Sequence, residues 1–342
     1  MELFGKTRAK LAALVAAAAV ALAACATTAS EEPSDGGQHG GEAPLKVGFV
    51  ADAAGLNDRS FNYLGNEGMK RAEEELGVEI RVLTSDSSAD YIPNMTTLAR
   101  QGYDLIIASG FNQIEAVATV SSEFPETKFA ILDVSVASLD EVNPNVMGLP
   151  FQQDQASYLA GYLAALFLQE SGEGDALGAV GGQPIPPVEN WMDGFARGVA
   201  AVDPSIRVIS GYSQTFADPA ACMQLAQNQI EQGAKIVFQV AGGCGPGALN
   251  AAAEAGVWAI GTDADQSDFG EHVLTSAIKR SDVAVYETIR ALLDGEFFGG
   301  QDRLFTIVDG AVGLGTFSPH VSEELRAKVA EAEAALRAEL AG

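Results

Sequence analysis

The chain has 342 residues, 47% of them hydrophobic, enough material for the cores of two ordinary domains. Its 20 Lys and Arg face 46 Asp and Glu, a formal charge of −26 at pH 7. So acidic a chain is repelled by nucleic acid and by anionic bilayers, which argues against nucleic acid as a partner and against purely electrostatic attachment to a membrane.

The N-terminus offers another route to a membrane. Lys6, Arg8 and Lys10 form a positive region, and an uncharged run rich in Ala, Leu and Val extends from Leu11 to Ala24. That run is shorter than the ~20 apolar residues of a spanning helix, so residues 1–24 are expected to be a secretory signal peptide. The run ends in Leu22-Ala23-Ala24-Cys25, which resembles a bacterial lipobox. The resemblance implies cleavage before Cys25 and lipidation of its thiol. Loss of residues 1–24 removes three cations and one anion and leaves −28. From Ala26 to Pro44 the chain is mostly Thr, Ser, Glu, Gly and Pro, the composition of a flexible tether.

From Leu45 onward, apolar runs of strand length alternate with helical patterns. Strands are expected near 46–51, 80–84, 104–108, 128–132, 146–149, 177–181, 206–211, 235–240, 257–261, 272–275 and 304–308. Helices are expected near 58–76, 90–101, 112–123, 153–170, 187–202, 218–232, 246–255, 281–294 and 321–340. Regular strand–helix–strand order implies α/β architecture, with parallel sheets covered by helices on both faces. An internal repeat divides the body in two. Gln101-Gly102 and Gln232-Gly233 each precede an apolar strand, a small-residue turn, a helix and a second strand, and these second strands run into Asp133 and Asp263. Two similar lobes whose strands end at a shared edge would enclose one ligand cleft that closes by a hinge.

The residues just after those strands are therefore the candidates for contact. Asp52, Asn57, Asp58 and Phe61 follow the first strand, with a cap on the following helix as the alternative role for Asn57, Asp58 or Ser60 and a core position as the alternative for Phe61. Asp133 and Asp263 stand at the ends of otherwise apolar strands, where a carboxylate can accept hydrogen bonds from ligand hydroxyls or amino groups. Phe216 precedes Asp218-Pro219, a helix-starting pair, and sets a ring at the cleft edge. Lys279 follows the strand expected at 272–275 and can pair with Asp263 or with a ligand oxygen. Cys222 and Cys244 form an even pair once Cys25 is modified, and in an oxidising compartment they are expected to be bridged, because a helix start and a strand end lie at the same edge of a βαβ unit.

Enzymatic readings find less support. Gly243-Cys244-Gly245-Pro246-Gly247-Ala248 matches a dinucleotide fingerprint, with Asp263 at the required distance, so a nicotinamide-dependent oxidoreductase is a rival reading. Pro246 and the export signal speak against it. The three His show no metal spacing, and neither a G-x-S-x-G elbow nor an H-E-x-x-H helix occurs. No catalytic group, metal or cofactor is expected.

Four separated motifs carry a family resemblance: Asn57-Asp58-Arg59-Ser60-Phe61-Asn62, Tyr158-Leu159-Ala160-Gly161-Tyr162-Leu163-Ala164, Trp258 through Gln266, and Leu274 through Tyr286. Together they resemble the basic membrane protein (BMP) family of lipoproteins, whose PnrA-like branch binds purine nucleosides. The resemblance implies a type I periplasmic-binding-protein fold and a monomer that delivers its ligand to an ABC permease. It implies an N-terminal lobe of 45–152 plus 281–298, a C-terminal lobe of 153–280 plus 299–320, and a C-terminal helix at 321–342. It places Asp52, Asn57 and Asp58 at the edge of a base and Phe61 and Phe216 on its faces. Asp133, Gly242, Asp263 and Lys279 would line the pocket, the last two holding the sugar. The Gly181–Trp191 segment, with its Pro184-Ile185-Pro186-Pro187 run and Trp191 where Phe is commoner, departs from the family pattern. A sugar or another small polar ligand is the alternative to a nucleoside.

Overall fold

A computed structural model describes residues 43–341. The expected signal peptide, Cys25 and most of the tether lie outside the described residues. Within them, no helix is long and apolar enough to cross a membrane.

The first sheet has five parallel strands: β1 (Lys46–Val50), β2 (Glu79–Leu83), β3 (Leu105–Ala108), β4 (Lys128–Leu132) and β5 (Val146–Leu149), in the order β2-β1-β3-β4-β5. The second contains β6 (Ala176–Gly181), β7 (Arg207–Tyr212), β8 (Ala234–Val240), β9 (Trp258–Asp263), β10 (Val273–Lys279) and β11 (Val312–Leu314). Its order, β7-β6-β8-β9-β10-β11, repeats that of the first sheet and adds β11 antiparallel at the edge. The repeat noted in the sequence is thus a repeat of topology. Strands β3 and β6 are buried along their whole length, as strands covered on both faces must be. Edge strand β2 carries exposed Glu79 and Arg81.

Helices α1 (Phe61–Leu76), α2 (Tyr91–Arg100) and α3 (Ile114–Glu123) follow strands of the first sheet. Helices α4 (Gln153–Ser171), α5 (Pro186–Val202), α6 (Pro219–Glu231) and α7 (Gly245–Ala255) belong to the second, and α9 (Glu323–Ala341) packs on α4. Helix α8 (Ser281–Leu293) returns to the first lobe, where a Cβ at Gly68 of α1 would come within 2.5 Å of the Asp282 carbonyl. Helices α4 and α5 also approach backbone to backbone. Gly161 faces the Phe195 carbonyl, and Gly198 faces the Tyr158 carbonyl, so a side chain at either would collide. The glycine in the Tyr158–Ala164 motif is therefore a packing requirement.

Three expectations need correction. The run 304–308 is not a strand: Phe305 makes only a bridge to Phe151, and the strand of this region is β11. Phe305 and Ile307 are buried while Leu304 and Val308 are exposed, so the alternation is real, but the segment lacks a continuous ladder. The same stretch, placed above in the C-terminal lobe, runs beside β5 of the first sheet, with Gly148 N donating to Gln301 O and Arg303 N to Gly148 O. Strand β10 also continues beyond Thr275 to Lys279, because its polar residues Thr275, Ser276 and Lys279 are all buried.

Cys222, in the first turns of α6, and Cys244, in the turn before α7, are disulfide-bonded with Cα atoms 5.6 Å apart. Both are fully buried. The bridge closes a loop with a sequence separation of 22 and ties the turn after β8 to α6. In the chain-entropy account, a loop of this size stabilises the fold by about 3 kcal/mol. The Cys222→Ala/Cys244→Ala variant should lose about that much in urea denaturation, and the parent should take up alkylating agent only after reduction.

Candidate functional site

The carboxyl ends of both sheets face one cleft. At this edge the backbone is strained: among the described residues, the non-glycine positions with positive φ are Arg59 (53°), Asp133 (63°), Gln214 (64°) and Asp263 (65°). Such positions cost ~1–3 kcal/mol each and persist only where the surroundings fix them. Asp133 and Asp263, equivalent in the repeat, share the same unusual turn as their strands end.

Between the lobes lies a cavity with about 580 Å³ of space, including its open mouth. The first lobe lines it with Asp52, Asp58, Phe61, Asn62 and Asp133, together with residues 110–112. The second contributes Trp191, Phe216, Gly242, Asp263 and Lys279, plus an apolar wall of Ile185, Pro187 and Val188. Gly242 has φ 53°, and a Cβ there would sit 3.8 Å from Phe216 Cβ. Of the residues singled out in the sequence, Asn57 alone is not brought to the cavity; it is exposed. Its neighbour Asp58 turns inward instead. Asp58 is 2% exposed and accepts hydrogen bonds from the Ser60, Asn62 and Tyr63 amides, capping α1.

At the deep end is an ion cluster. Lys279 Nζ lies 2.6 Å from Asp133 Oδ2 and 3.4 Å from Asp263 Oδ1, so one buried ammonium joins carboxylates from the two lobes. It also stands 4.4 Å from the centre of the Phe61 ring, a cation–π contact. Ser60 Oγ donates to Asp263 Oδ2 at 2.5 Å, a second link across the cleft. Asn112 Nδ2 donates to Gln183 Oε1 at 3.1 Å, and Arg59 forms an ion pair with Asp268 at the rim. These contacts hold the lobes closed. Beside Asp58, Asn62 donates to Asp52 Oδ1 at 2.6 Å and accepts from Ser109 Oγ.

Burial governs the charges here. It raises the Asp52 carboxyl above its ordinary value, against donation from Asn62 and the Ala54 amide. It pushes Asp58 up to about 7, against three backbone amides. It raises Asp133 although Lys279 pulls the other way. Burial alone would lower the Lys279 ammonium, but the charges of Asp133 and Asp263 outweigh it, and the net shift is upward. Four carboxyl groups against one ammonium make the cavity a poor host for anions.

Several lining residues escaped the sequence reading. Asn62 was quoted within a motif but given no role; its position one turn beyond Asp58 was the available signal. Trp191 was noted only as a departure from the family pattern. The wall at Ile185–Val188, like Trp191, enters the sequence reading only as part of the segment that departs from the family pattern, and Asn112 carries no signal. The dinucleotide fingerprint proves to be helix packing: a side chain at Gly245 would strike Gln239, and one at Gly247 would strike the Pro219 carbonyl. Cys244 is held in the disulfide, and Asp263 is engaged by Lys279 and Ser60.

Lys279→Met would leave Asp133 and Asp263 close together without a counter-ion. Because they belong to different lobes, the chain can relieve this by opening at the hinge rather than by unfolding. The variant should show a larger radius of gyration than the parent by X-ray scattering at neutral pH. A carboxyl with a raised pKa binds its proton more tightly in the closed form, so acidification should restore closure. An unchanged scattering profile would mean that other contacts hold the lobes.

Comparisons with known proteins agree with this architecture. Residues 45–340 match the family model described as Bmp, ABC transporter substrate-binding protein PnrA-like. The CD4+ T-cell-stimulating antigen of Listeria monocytogenes is 33% identical, covering 83% of this chain and 84% of the relative. The ABC transporter nucleoside-binding protein BmpA of Lactococcus lactis subsp. cremoris is 30% identical, covering 84% and 86%. The crystal structure of an ABC transporter solute-binding protein from Aeropyrum pernix superposes with a TM-score of 0.78 at 27% identity, over 86% of this chain and 92% of that one. A two-lobed α/β body closed over a cavity, matched over nearly its full length by one family, is a binding protein and not an enzyme: the chain belongs to the Bmp family of PnrA-like ABC transporter substrate-binding proteins.

Proposed function

We propose that this protein is an exported, lipid-anchored monomer that captures a ribonucleoside, preferentially a purine, in the cleft between its lobes and delivers it to an ABC permease. The observation that carries the reading is that Phe61 and Phe216, from opposite lobes, line one cavity with Lys279, Asp133 and Asp263. Two rings suit a flat base, and base–aromatic stacking contributes ~1–3 kcal/mol per base. Asp133 Oδ1 is buried without a hydrogen-bond partner among the described residues, Asp263 Oδ1 has only the Lys279 ammonium at 3.4 Å, and ribose hydroxyls are donors that would supply a further one. Asp52 and Asp58, nearer the loop after β1, would read the polar edge of the base. The name of the Lactococcus relative supports the same ligand class.

Calorimetry on ligand-stripped protein tests this with guanosine, adenosine, inosine, uridine, ribose and AMP. Purine ribonucleosides should bind most tightly. A 2′-deoxynucleoside should lose ~1–3 kcal/mol, the cost of leaving a buried acceptor unpaired, and AMP should be refused by the carboxylates. Phe61→Ala should weaken nucleosides by ~1–3 kcal/mol. Tight binding of ribose alone would favour the sugar reading, and AMP binding above adenosine would contradict the electrostatic argument.

Anchoring is tested separately. A body this acidic has no electrostatic reason to bind a bilayer, and stable attachment takes more than one acyl chain. Cys25→Ser should therefore be released from membranes to the soluble fraction; full membrane partition of that variant would refute the anchor.

A further inference from the structure

Asp263 lines the cavity from a left-handed turn, φ 65°, and such a turn persists only where its surroundings fix it. A buried carboxamide three residues on does so. Gln266 is 1% exposed. Its Oε1 accepts from Thr262 N at 3.1 Å and from Gln239 Nε2 at 2.8 Å, so the loop after β9 folds back around its own side chain. Its backbone N donates to Ser276 Oγ at 2.9 Å, which fastens the far end of the loop to β10. Gln239, fully buried, accepts from Ala241 N at 3.1 Å, so the same pair of amides ties the turn before Gly242 to the turn at Asp263. Glycine makes the room, because a Cβ at Gly261 would come within 2.6 Å of Gln266 Oε1. The remaining group of Gln266 leaves the lobe: Nε2 donates to Arg59 O at 3.3 Å, across the cleft. Arg59 precedes Ser60, whose Oγ donates to Asp263 Oδ2 at 2.5 Å. One carboxamide thus holds Asp263 through its own strand end and seats the first-lobe turn that meets it.

We propose that Gln266 is a positioning residue for ligand binding: it sets the Asp263 carboxylate for a sugar hydroxyl and, as the lobes meet, brings Ser60 to that carboxylate in register. This rests on Asp263 as a ligand contact in the reading above. Gln266 is not among the residues that line the cavity, so it acts through Asp263 and not on the ligand. Its amide is neutral, and it joins the lobes without adding charge beside Lys279 and its two carboxylates.

The test is a double-mutant cycle. Parent, Gln266→Met, Asp263→Ala and the double variant are titrated with adenosine, or with ribose if the parent binds ribose alone. Gln266→Met removes donor and acceptor at nearly constant volume and should bind roughly 3–10-fold more weakly, the range of one hydrogen bond. In the Asp263→Ala background that factor should shrink about threefold or more, because no carboxylate is left to place. An undiminished factor would make Gln266 a general brace of its lobe and overturn the proposal, as would affinity unchanged from the parent. Gln229 is the control, a buried carboxamide of the same lobe that donates to Ala179 O at 2.9 Å. Gln229→Met should leave affinity within about twofold of the parent, and equal losses from the two Met variants would also overturn the proposal. If Asp263→Ala binds adenosine too weakly to titrate, 2′-deoxy- and 3′-deoxyadenosine replace it: the Gln266→Met factor should shrink for the analogue that lacks the hydroxyl Asp263 accepts, and equal factors for both and for adenosine would refute the link. If Gln266→Met fails to fold, Gln266→Asn, one methylene too short to reach both Thr262 N and Arg59 O, takes its place. A parent that binds neither adenosine nor ribose defeats the ribonucleoside reading and this proposal with it. A parent that binds ribose alone defeats only that reading, and one that binds adenosine without dependence on Gln266 defeats only this proposal.

Discussion

A single buried ammonium organises this molecule. Lys279 is 3% exposed, and a charge so placed must be paired. Its partners are Asp133 from the first lobe and Asp263 from its own, each held by a strained turn at the end of a strand. The cluster therefore exists only when the lobes meet. It is also incomplete, since among the described residues Asp133 Oδ1 has no hydrogen-bond partner and Asp263 Oδ1 has only the Lys279 ammonium at 3.4 Å. Closure and recognition are linked for that reason: closing the cleft buries acceptors, and a ligand with donors removes the resulting penalty.

The scaffold serves to bring those strand ends together. Both sheets use one strand order, and the loops at their carboxyl ends meet across the cleft: Asp133 and Asp263 share Lys279, Asn112 bonds to Gln183, and the turn at Gly243 lies against Ala54 and Asp58. The chain crosses between lobes after β5, after β10 and before β11. Those passages are tied to one another: Ile307 N donates to Gln155 Oε1 at 2.8 Å, and Arg280 N donates to Ala311 O at 2.8 Å. Parallel connections bound in this way favour hinge opening over twisting or separation. Stiffness away from the hinge comes from different sources, with glycine-mediated contact of α4 with α5 in the second lobe and of α1 with α8 in the first. The disulfide fixes the turn that presents Gly242.

Membership of a substrate-binding family and the chemistry of the cleft are separate matters. The fold is shared with proteins that handle different ligands, so it specifies a closing cleft and not its occupant. The occupant is set by side chains at the strand ends: two rings, an apolar wall, a surplus of carboxyl groups and one cation. That surplus also matches the acidity of the whole chain, which keeps the body from anionic surfaces.

By itself the sequence determined the alternation of strands and helices, the two-fold repeat, and most of the residues that reach the cavity. These are local properties: burial on both sheet faces imposes apolar runs, and a polar residue ending such a run reports the edge where ligands sit. Only the tertiary structure decided which of two adjacent polar residues turned inward, Asp58 to cap α1 and Asn57 to solvent, because the choice depends on which side chain the amides of Ser60, Asn62 and Tyr63 can reach. It alone joined Lys279 to Asp133 across 146 positions, and it moved the segment around Phe305 from an expected strand to the flank of β5. It alone set the indole of Trp191 in the wall of the cavity. Periodicity along a chain records how often a residue is buried; what it is buried against is fixed by pairings between distant segments, which leave no local pattern.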